Sequence, residues 1–396
     1  MDAAKLRVGI IGIGNMGTAH ANTIYQGKVD GMQLAAVCDI KQSRRDFCAE
    51  QYREVKVYEN GEEMIASGEI DVLIVAVPHY HHTDYVKLAL EHGLHVLTEK
   101  PADVLASKAQ SVHTLAKKSG RVFGIMFNQR TNPLFAKARE LVQSGALGEL
   151  KRSVWIITNW YRTQSYYDSG DWRATWSGEG GGVLLNQAPH NLDLWQWICG
   201  MPVKVRGFCE EAKYHNIEVE DDATIFAEYA NGATGVFITS TGEFPGTNRL
   251  EISGDLGKIV LENGSLKWWK LSEPERKFCF ESKEGFAQIP FEEVEILPDA
   301  PESAHLGILQ NFTNAILHGE KLIAPGYDGV RELSISNAAY LSSWNDHEAV
   351  NLPLSEQDAV RFAEELQKRA EKSDYKAHIS SEKMSGEYSK RWQVRW

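Results

Sequence analysis

The chain has 396 residues, a formal net charge of −12 and a hydrophobic content of 43%. This length and apolar content are sufficient for two domains with separate cores. The negative charge argues against nucleic acid or an anionic membrane surface as a partner, and no apolar run approaches the ~18 residues of a membrane span. The five cysteines are scattered, so no disulfide framework is expected. The first strand begins close to the N-terminus, so we expect no signal peptide and a cytoplasmic location.

The segment KLRVGIIGIGNMG, residues 5–17, predicts a buried strand, a tight turn and the start of a helix. Its glycines have the G-x-G-x-x-G spacing of dinucleotide-binding turns, which need a tight turn, a close approach to pyrophosphate and close helix packing. The helix start also offers N–H groups to the phosphates. A βαβ turn without a ligand is the alternative. The predicted phosphate-binding residues are Gly12, Gly14, Asn15, Met16 and Gly17.

Asp39 ends the second predicted strand, over 33–38, and lies 22 residues after Gly17. An acidic residue at this place accepts hydrogen bonds from the ribose hydroxyls and repels a 2′-phosphate. The sequence therefore favours NAD over NADP. The basic residues Lys41, Arg44 and Arg45 could offset the repulsion, but we expect them to be the solvated start of the next helix.

Further strands are predicted over 55–58, 72–77, 95–98 and 122–127, with helices between them, which indicates a parallel sheet covered on both faces. Ligands of such sheets bind at the carboxyl ends of the strands. Lys100 follows a buried strand there, so we expect it beside the nicotinamide; a solvated lysine is the alternative. The further residues predicted to line the cofactor cleft are Val77, Pro78, His79, His82, Glu99, Lys100, Asn128 and Arg130.

Three histidines in the segment PHYHH, 78–82, raise the possibility of a metal site. The spacing lacks the more distant ligand of a zinc site, and no Cys or carboxylate cluster completes it. No metal is therefore predicted, and His82 is interpreted as a helix-start residue that lines the cofactor cleft.

After Thr131 an amphipathic helix over 133–144 is followed by seven strand-like segments without intervening helices, which predicts an α+β domain with a mostly antiparallel sheet. Helices are predicted over 305–318 and 329–344, and a charged helix over 355–372. The predicted domains are 1–128, 129–354 and 355–396. The tail from Ala377, which ends in RWQVRW, is expected to lie on another subunit or on the first domain, because exposed tryptophans are costly.

The segment GEGGGVLLNQAPHNLDLWQWICG, 178–200, places Asn186, His190 and Asp193 on one face of a predicted helix. Histidine is suited to accept the proton of an alcohol near neutral pH. A buried histidine bonded to a carbonyl is the structural alternative.

The segment 155–176 is rich in aromatic residues, whose flat rings suit the apolar C–H faces of sugars. Some of these rings could equally pack a sheet face or a subunit interface. Arginines within the segment could donate to sugar hydroxyls. The predicted substrate-binding residues are Asn186, Arg173, Trp172, Asp193, Tyr161 and Arg162.

The GIGNMG turn, Asp39, the Glu99-Lys100-Pro101 strand end and GGGVLLNQAPH together resemble the Gfo/Idh/MocA family of sugar and cyclitol oxidoreductases. The resemblance implies a Rossmann domain, a second domain with an open sheet, a substrate between them, and homo-oligomers from dimer to hexamer. It also implies that Lys100 and His190 carry the chemistry, because they match the lysine of E-K-P and the histidine of a D-x-x-x-H motif. Asn186 occupies the aspartate position of that motif, which is a departure from the family. The NQ-x-PH segment and its Trp-rich surroundings are similar to the glucoside 3-dehydrogenase branch.

The sequence thus predicts an NAD-dependent oxidoreductase that converts a secondary hydroxyl, at C3 of a pyranose or glucoside, to the ketone. In this hypothesis His190 takes the hydroxyl proton and Lys100 stabilises the charge on the same oxygen. Three alternatives remain at this point: an inositol, cyclitol or free-sugar dehydrogenase; an enzyme that uses NAD to cleave glycosides without net redox change; and a non-catalytic NAD-binding regulator.

Overall fold

A computed structural model describes residues 5–170 and 172–375. The predicted docking of the tail from Ala377 lies outside these residues. The described chain forms two compact units. The first comprises the residues up to Thr131 together with Ser303–Leu333, and the second comprises Asn132–Glu302 together with the residues from Ser334 onward.

The first unit contains a six-stranded sheet in which every strand pair is parallel. Its spatial order, β3-β2-β1-β4-β5-β6, is that of the dinucleotide-binding fold. The α/β Rossmann prediction is therefore confirmed. The strands are β1 (Leu6–Ile11), β2 (Met32–Cys38), β3 (Lys56–Tyr58), β4 (Val72–Val75), β5 (His95–Thr98) and β6 (Phe123–Ile125).

Five helices connect these strands, as right-handed crossovers between parallel strands require. Local sequence sets several of their ends: Asn60 accepts hydrogen bonds from the first turn of the third helix, and Gly120 ends the fifth with a left-handed φ of 65°. The central strand β4 is entirely buried, as its continuous apolar sequence predicts. The helices are α1 (Asn15–Tyr25), α2 (Gln42–Gln51), α3 (Gly61–Ala66), α4 (His82–Glu91) and α5 (Ala106–Ser119).

The second unit contains a nine-stranded sheet that is antiparallel except for one parallel pair, between its first and fourth strands in chain order. The predicted α+β class is thus confirmed, although two edge strands and two short helices were not predicted. The strands are β7 (Leu150–Ile157), β8 (Lys204–Glu211), β9 (Glu220–Glu228), β10 (Thr234–Ser240), β11 (Asn248–Gly254), β12 (Gly257–Glu262), β13 (Ser265–Leu271), β14 (Phe291–Ile296) and β15 (Val350–Asn351). The helices up to residue 302 are α6 (Pro133–Gln143), α7 (Gln164–Tyr167), α8 (Pro189–Cys199) and α9 (Glu275–Glu281).

One face of this sheet is covered by α8 and forms the core of the unit. Trp195 of α8 packs on Phe237 of β10, with ring centroids 5.4 Å apart, and Trp155 of β7 lies beside Phe237 at 6.2 Å. All three rings have no exposed surface. Within the aromatic segment 155–176, Trp155, Trp160, Tyr167 and Trp176 are buried and pack the interior.

Three more helices complete the described chain: α10 (Ala304–His318), α11 (Gly329–Ser343) and α12 (Glu356–Glu371). Phe362 of α12 stacks on Trp344, with centroids 5.5 Å apart and planes 6° apart, so α12 belongs to the second unit rather than to a separate domain. None of the described helices is both long enough and apolar enough to cross a bilayer.

The segment Ser303–Leu333 returns to the first unit, whereas the predicted boundaries placed it in the second domain. Phe312 of α10 packs on Gly124 of β6, where a Cβ would lie 3.0 Å from its ring. The backbone of Ile125 donates to the carbonyl of Ala324 at 3.1 Å, which extends the sheet edge by one bridge. The first unit is therefore built from two separate parts of the sequence.

Candidate active site

The glycine-rich turn after β1 fits a dinucleotide. Gly12 has a φ of +87°, and a Cβ there would lie 2.4 Å from the carbonyl oxygen of Ala76; a Cβ at Gly17 would lie 1.9 Å from the carbonyl oxygen of Gly12. A Cβ at Gly14, by contrast, would meet no described atom within 4 Å. Two glycines thus shape the turn and the third faces open space at the start of α1, where a pyrophosphate would approach the backbone.

This difference predicts opposite results for two similar substitutions. Gly14→Ala leaves the fold intact but places a methyl group in the phosphate space, so we expect NAD affinity to fall by about tenfold or more, equivalent to ~1.4 kcal/mol, with an unchanged Tm. Gly17→Ala forces the turn apart, so we expect a loss of about 1–3 kcal/mol of stability. Calorimetric titration with NAD and thermal unfolding test both variants. Normal NAD binding by Gly14→Ala would contradict the proposed phosphate position.

Asp39 lies at the end of β2, as predicted, and joins the turn. Its Oδ2 accepts from the N–H of Ile13 at 2.8 Å, which places the carboxylate beside the glycine-rich turn where a ribose would lie. The prediction for the neighbouring arginines was wrong for Arg44: its Nε donates to the carbonyl of Ile13 at 2.6 Å and its Nη2 to Thr18 Oγ1 at 2.7 Å. Arg44 therefore holds the turn together rather than lying in solvent.

Arg45 likewise donates to the carbonyl oxygens of Asp39 and Ile40, at 3.0 and 2.8 Å. The Arg45 guanidinium is thereby hydrogen-bonded to the backbone of the protein itself. A carboxylate at the ribose position, with the adjacent guanidinium groups engaged by backbone oxygens, suits NAD better than NADP.

His82 begins α4, but its ring does not line an open cleft. The side chain is buried, with Nε2 2.7 Å from the carbonyl oxygen of Val77 and Nδ1 2.6 Å from that of Pro101. Burial lowers the pKa of His82, whereas two carbonyl partners can both be satisfied only by a ring that carries both N–H groups. His82 therefore connects the loop after β4 to the loop after β5, and the predicted contact with cofactor is replaced by a positioning role.

Val77 and Pro78 follow β4 at the carboxyl edge of the sheet, as predicted, and His79 packs against the His82 ring at 5.9 Å. No group of three or more His, Cys, Asp or Glu side chains within 5–170 and 172–375 is arranged to hold a metal ion.

Glu99 and Lys100 end β5. Lys100 is half-buried, whereas Glu99 is buried and accepts from His20 of α1, with 2.7 Å between Nε2 and Oε1. Burial would raise the pKa of Glu99, but the His20 hydrogen bond and the charges of His20, His305 and Lys100 outweigh burial and lower it to about 2. Glu99 is thus a buried anion adjacent to Lys100 in the chain, and its contact with cofactor stays a prediction.

His305 enters this cluster from the returning segment. Its ring centroid is 5.8 Å from that of His20, and burial, together with the charges of His20 and Lys100, lowers its pKa to about 4 despite the opposing charge of Glu99. His305 is therefore neutral at pH 7. Sequence reasoning missed both histidines, because neither lies near the E-K-P segment in the chain.

Arg130 is buried in an ion pair with Asp328, with 2.7 Å between Nη1 and Oδ2, and donates to the carbonyl of Ile323 at 3.0 Å. The structure thus gives Arg130 the task of attaching the returning segment, and not the predicted cofactor contact. Asn128 is 9% exposed, and its Oδ1 has no hydrogen-bond partner among the described residues, so its cofactor contact stays a prediction.

In the second unit, α8 begins at Pro189, so His190 lies in its first turn and Asn186 in the turn that precedes it. The three glycines before this turn allow close packing: a Cβ at Gly182 would lie 1.9 Å from the carbonyl oxygen of Glu220. The Glu220 carboxylate accepts from the N–H groups of Gly182 and Leu184, both at 2.8 Å. Burial raises the pKa of Glu220 to about 8, against the effect of these donors. This contact fixes the chain just before Asn186 and His190.

Asn186 and Arg173 are brought together by Glu179, a buried residue that sequence reasoning missed. Asn186 Nδ2 donates to Glu179 Oε1, and Arg173 Nη1 lies 3.9 Å from the same oxygen. The Arg173 guanidinium also stacks on Trp172, 4.6 Å from the ring centroid, and donates to the hydroxyl of Tyr166 at 2.7 Å. Three predicted substrate-binding residues thus form one cluster.

The other three predicted substrate residues are placed differently. Arg162 stacks on Tyr166 at 5.1 Å but uses its Nη1 on carbonyl oxygens of its own loop, and Tyr161 is 43% exposed and packs on Phe244. Asp193 has no exposed surface and accepts from Gln196 Nε2 at 2.9 Å, so it is an interior residue of α8 and not a substrate ligand. Lys100 and His190 belong to different units, and their meeting on one substrate stays a prediction.

With a dinucleotide turn on a parallel sheet and a strand-end lysine, the first unit has the features of a nucleotide-dependent oxidoreductase. Two family profiles match the chain: "Oxidoreductase family, NAD-binding Rossmann fold" over residues 6–127 and "GFO/IDH/MocA C-terminal domain" over residues 135–260. The chain belongs to the Gfo/Idh/MocA family, and its cofactor is NAD.

Among individual relatives, D-glucoside 3-dehydrogenase of Escherichia coli K12 is 30% identical over 51% of this chain and 56% of its own length. Myo-inositol 2-dehydrogenase of Thermotoga maritima is 26% identical over 65% of this chain and 75% of its own. The WlbA dehydrogenase of Chromobactrium violaceum, solved with NADH and UDP-GlcNAcA, shares the fold with a TM-score of 0.76 at 24% identity, over 90% of this chain and 98% of that one.

Proposed function

We propose that this protein is a dehydrogenase that oxidises a secondary hydroxyl of a pyranose sugar or glucoside, at C3, to the ketone. The main support is Lys100, which follows β5 at the carboxyl edge of an NAD-binding sheet with the buried anion Glu99 next to it. The half-length match to a glucoside 3-dehydrogenase and the Trp172–Arg173 stack favour a sugar.

Oxidation of an alcohol removes a hydride from its C–H bond and a proton from its O–H bond, and each of them needs an acceptor. Bound NAD⁺ supplies a hydride acceptor for the carbinol hydrogen. In our proposal His190 takes the hydroxyl proton on a ring nitrogen, and the Lys100 ammonium donates a hydrogen bond to the same oxygen as negative charge develops on it. The Asn186 amide and the Arg173 guanidinium bind neighbouring hydroxyls and thereby fix the ring.

The Arg173–Trp172 stack supports this role for the second unit. The Arg173 guanidinium lies over the Trp172 ring, 4.6 Å from its centroid, and a guanidinium restricted in this way can donate to hydroxyl oxygens at low cost in side-chain entropy. The half-buried Trp172 ring can at the same time cover an apolar C–H face of a pyranose.

The test is incubation of the purified full chain with NAD⁺ and a panel of glucosides, free sugars and inositols, with products identified by mass spectrometry and NMR. We expect NADH formation and a 3-keto glucoside. Deuterium at C3 should slow the reaction and appear in the reduced cofactor, whereas deuterium at C2 should do neither.

Other outcomes identify the alternatives. An inosose would indicate a cyclitol dehydrogenase, which the match to an inositol 2-dehydrogenase favours as a second candidate. Release of an aglycone without NADH accumulation would indicate glycoside cleavage. NAD binding without turnover of any compound would contradict the proposal and indicate a regulator.

We further propose that the protein forms homo-oligomers through the second sheet. The face opposite α8 carries apolar side chains that are only partly buried, among them Ile156, Phe226, Val236 and Ile238 on three adjacent strands. A second copy of the same face would cover them. Measurement of the molar mass in solution tests this proposal.

A cytoplasmic location of the protein stays a prediction.

A further inference from the structure

We propose that Glu179 supplies the negative charge that Asn186 lacks, and that it acts as a positioning residue for the two sugar-binding groups, Asn186 and Arg173. This inference rests on the proposed function. It concerns a buried carboxylate outside the family's motif, seven residues before Asn186 in the chain.

The contacts of Glu179 define an ionised group. The side chain is 1% exposed; Oε2 accepts from the N–H of Ala174 at 2.8 Å, and Oε1 accepts from Asn186 Nδ2 and lies 3.9 Å from Arg173 Nη1. All three of these partners are N–H donors, and a carboxylate that faces several N–H donors is satisfied in its charged form. A buried charge with such partners is costly to remove or to leave unpaired.

The orientation of the Asn186 amide follows from this contact. A carboxylate can only accept, so the amide must turn its NH₂ group toward Glu179. Its carbonyl oxygen Oδ1 then lies on the other side of the amide plane, as an acceptor of fixed direction. Donation to an anion also polarises the amide and strengthens Oδ1 as an acceptor. Asn186 can thus receive a sugar hydroxyl where an aspartate would have offered a carboxylate oxygen.

Glu179 also controls Arg173. The arginine lies between two attachments, the Glu179 carboxylate and the Tyr166 hydroxyl, and its Cζ lies over the Trp172 ring. Loss of the carboxylate would remove the electrostatic anchor on one side. A single buried anion therefore sets the geometry of both groups that we assign to the sugar.

The local backbone supports this arrangement. Ala174 adopts a left-handed φ of 62°, which directs its N–H at Glu179, and its carbonyl accepts from the N–H of Glu218 at 3.0 Å. An alanine in this region adopts a backbone conformation that L side chains disfavour. The surrounding structure maintains it, and the Glu179 carboxylate receives the resulting N–H.

The experiment exchanges the carboxylate and the amide. In Glu179→Gln we expect kcat/KM for the sugar to fall by roughly 10- to 100-fold, as loss of a charge-assisted buried hydrogen bond implies, with unchanged NAD affinity. In the double variant Glu179→Gln with Asn186→Asp, the same pair is restored with reversed polarity, because the introduced glutamine can donate to the introduced aspartate. We expect it to recover most of the lost kcat/KM. A purely structural role for Glu179 predicts no such recovery.

The pH profile gives a second readout. Asn186→Asp alone places two carboxylates in contact, so one of them should have a raised pKa, and kcat/KM should fall as the pH rises. Glu218→Gln is the matched control, since it removes a carboxylate that accepts from the backbone N–H groups of Asp374 and Tyr375, and it should leave kcat/KM unchanged. Thermal unfolding of each variant identifies any that fails to fold.

The two proposals can fail separately. Wild-type turnover reports the proposed function, whereas the ratio between variants reports the role of Glu179. If the wild type binds a glucoside in the presence of NADH but does not turn it over, the glucoside affinities of the variants replace kcat/KM. The ratios of these affinities between variants then test the role of Glu179. A Glu179→Gln variant within twofold of wild type, a folded double variant no better than Glu179→Gln, or no sugar binding at all would overturn it.

Discussion

Lys100→Met should reduce kcat by about 10²–10⁴-fold and leave NAD affinity nearly unchanged. Methionine keeps most of the length of the side chain but removes the ammonium that we expect to stabilise the developing charge on the alcohol oxygen. Removal of such a preorganised donor affects the transition state more than the ground state, so kcat should fall more than KM rises. Steady-state kinetics with the sugar identified by the panel, together with NAD titration, measure both effects.

Lys117→Met is the matched control, because this exposed lysine on α5 belongs to the same unit and makes the same change in net charge. It should behave as wild type. Normal sugar turnover by Lys100→Met would remove the lysine from the mechanism, and a parallel loss of NAD affinity would mean that its role is in cofactor binding.

Glu99→Gln should lower the stability of the first unit on the order of 3 kcal/mol at pH 7 and flatten its acid dependence. The pKa of Glu99 is about 2 in the folded protein, against an ordinary value of 4.5. A carboxylate with a lowered folded pKa contributes stability above the unfolded pKa and loses it as the pH falls through 4.5 toward 2. The wild type should therefore lose this contribution over that interval, and Glu99→Gln should not.

Scanning calorimetry from pH 7 to pH 3 measures the difference, since no tryptophan lies within the described part of the first unit to report its unfolding by fluorescence. Glu69→Gln is a suitable control: Glu69 also has a lowered pKa, caused by its hydrogen bond to Lys56, but this pair is at the surface and should contribute little. If the stabilities of wild type and Glu99→Gln fell in parallel as the pH was lowered, the His20–Glu99 pair would not stabilise the unit.

The sequence was sufficient for the features that depend on local pattern. The strand–turn–helix at 5–17 and the acidic residue Asp39 were predicted because each glycine and the carboxylate satisfy a requirement of backbone geometry or of a ligand. The parallel pairing of the first sheet follows from the alternation of strands and helices. For the aromatic segment the sequence left both roles open, and the structure places Trp155, Trp160, Tyr167 and Trp176 in the interior.

The sequence was insufficient where a side chain is used by a distant partner. Arg130 and His82 lie at the predicted edge of the sheet, but Asp328 and the carbonyl of Pro101 engage them, and no periodicity reports such contacts. Glu179 lies in an irregular glycine-rich stretch without a helical or strand period. The one available signal was Asn186 itself: an amide in place of a carboxylate invites a search for an acidic residue nearby.

The return of Ser303–Leu333 to the first unit has a practical consequence for protein engineering. An excised fragment of 5–131 would leave the Gly124 surface without Phe312 and would leave the buried Arg130 cation without its counter-ion. Exchange of cofactor modules among relatives therefore requires both stretches to be transplanted together, with junctions near Thr131, Ser303 and Leu333. A chimaera with a single crossover would combine the 5–131 stretch of one relative with the Ser303–Leu333 stretch of another, and the buried side chains of the two stretches would not match.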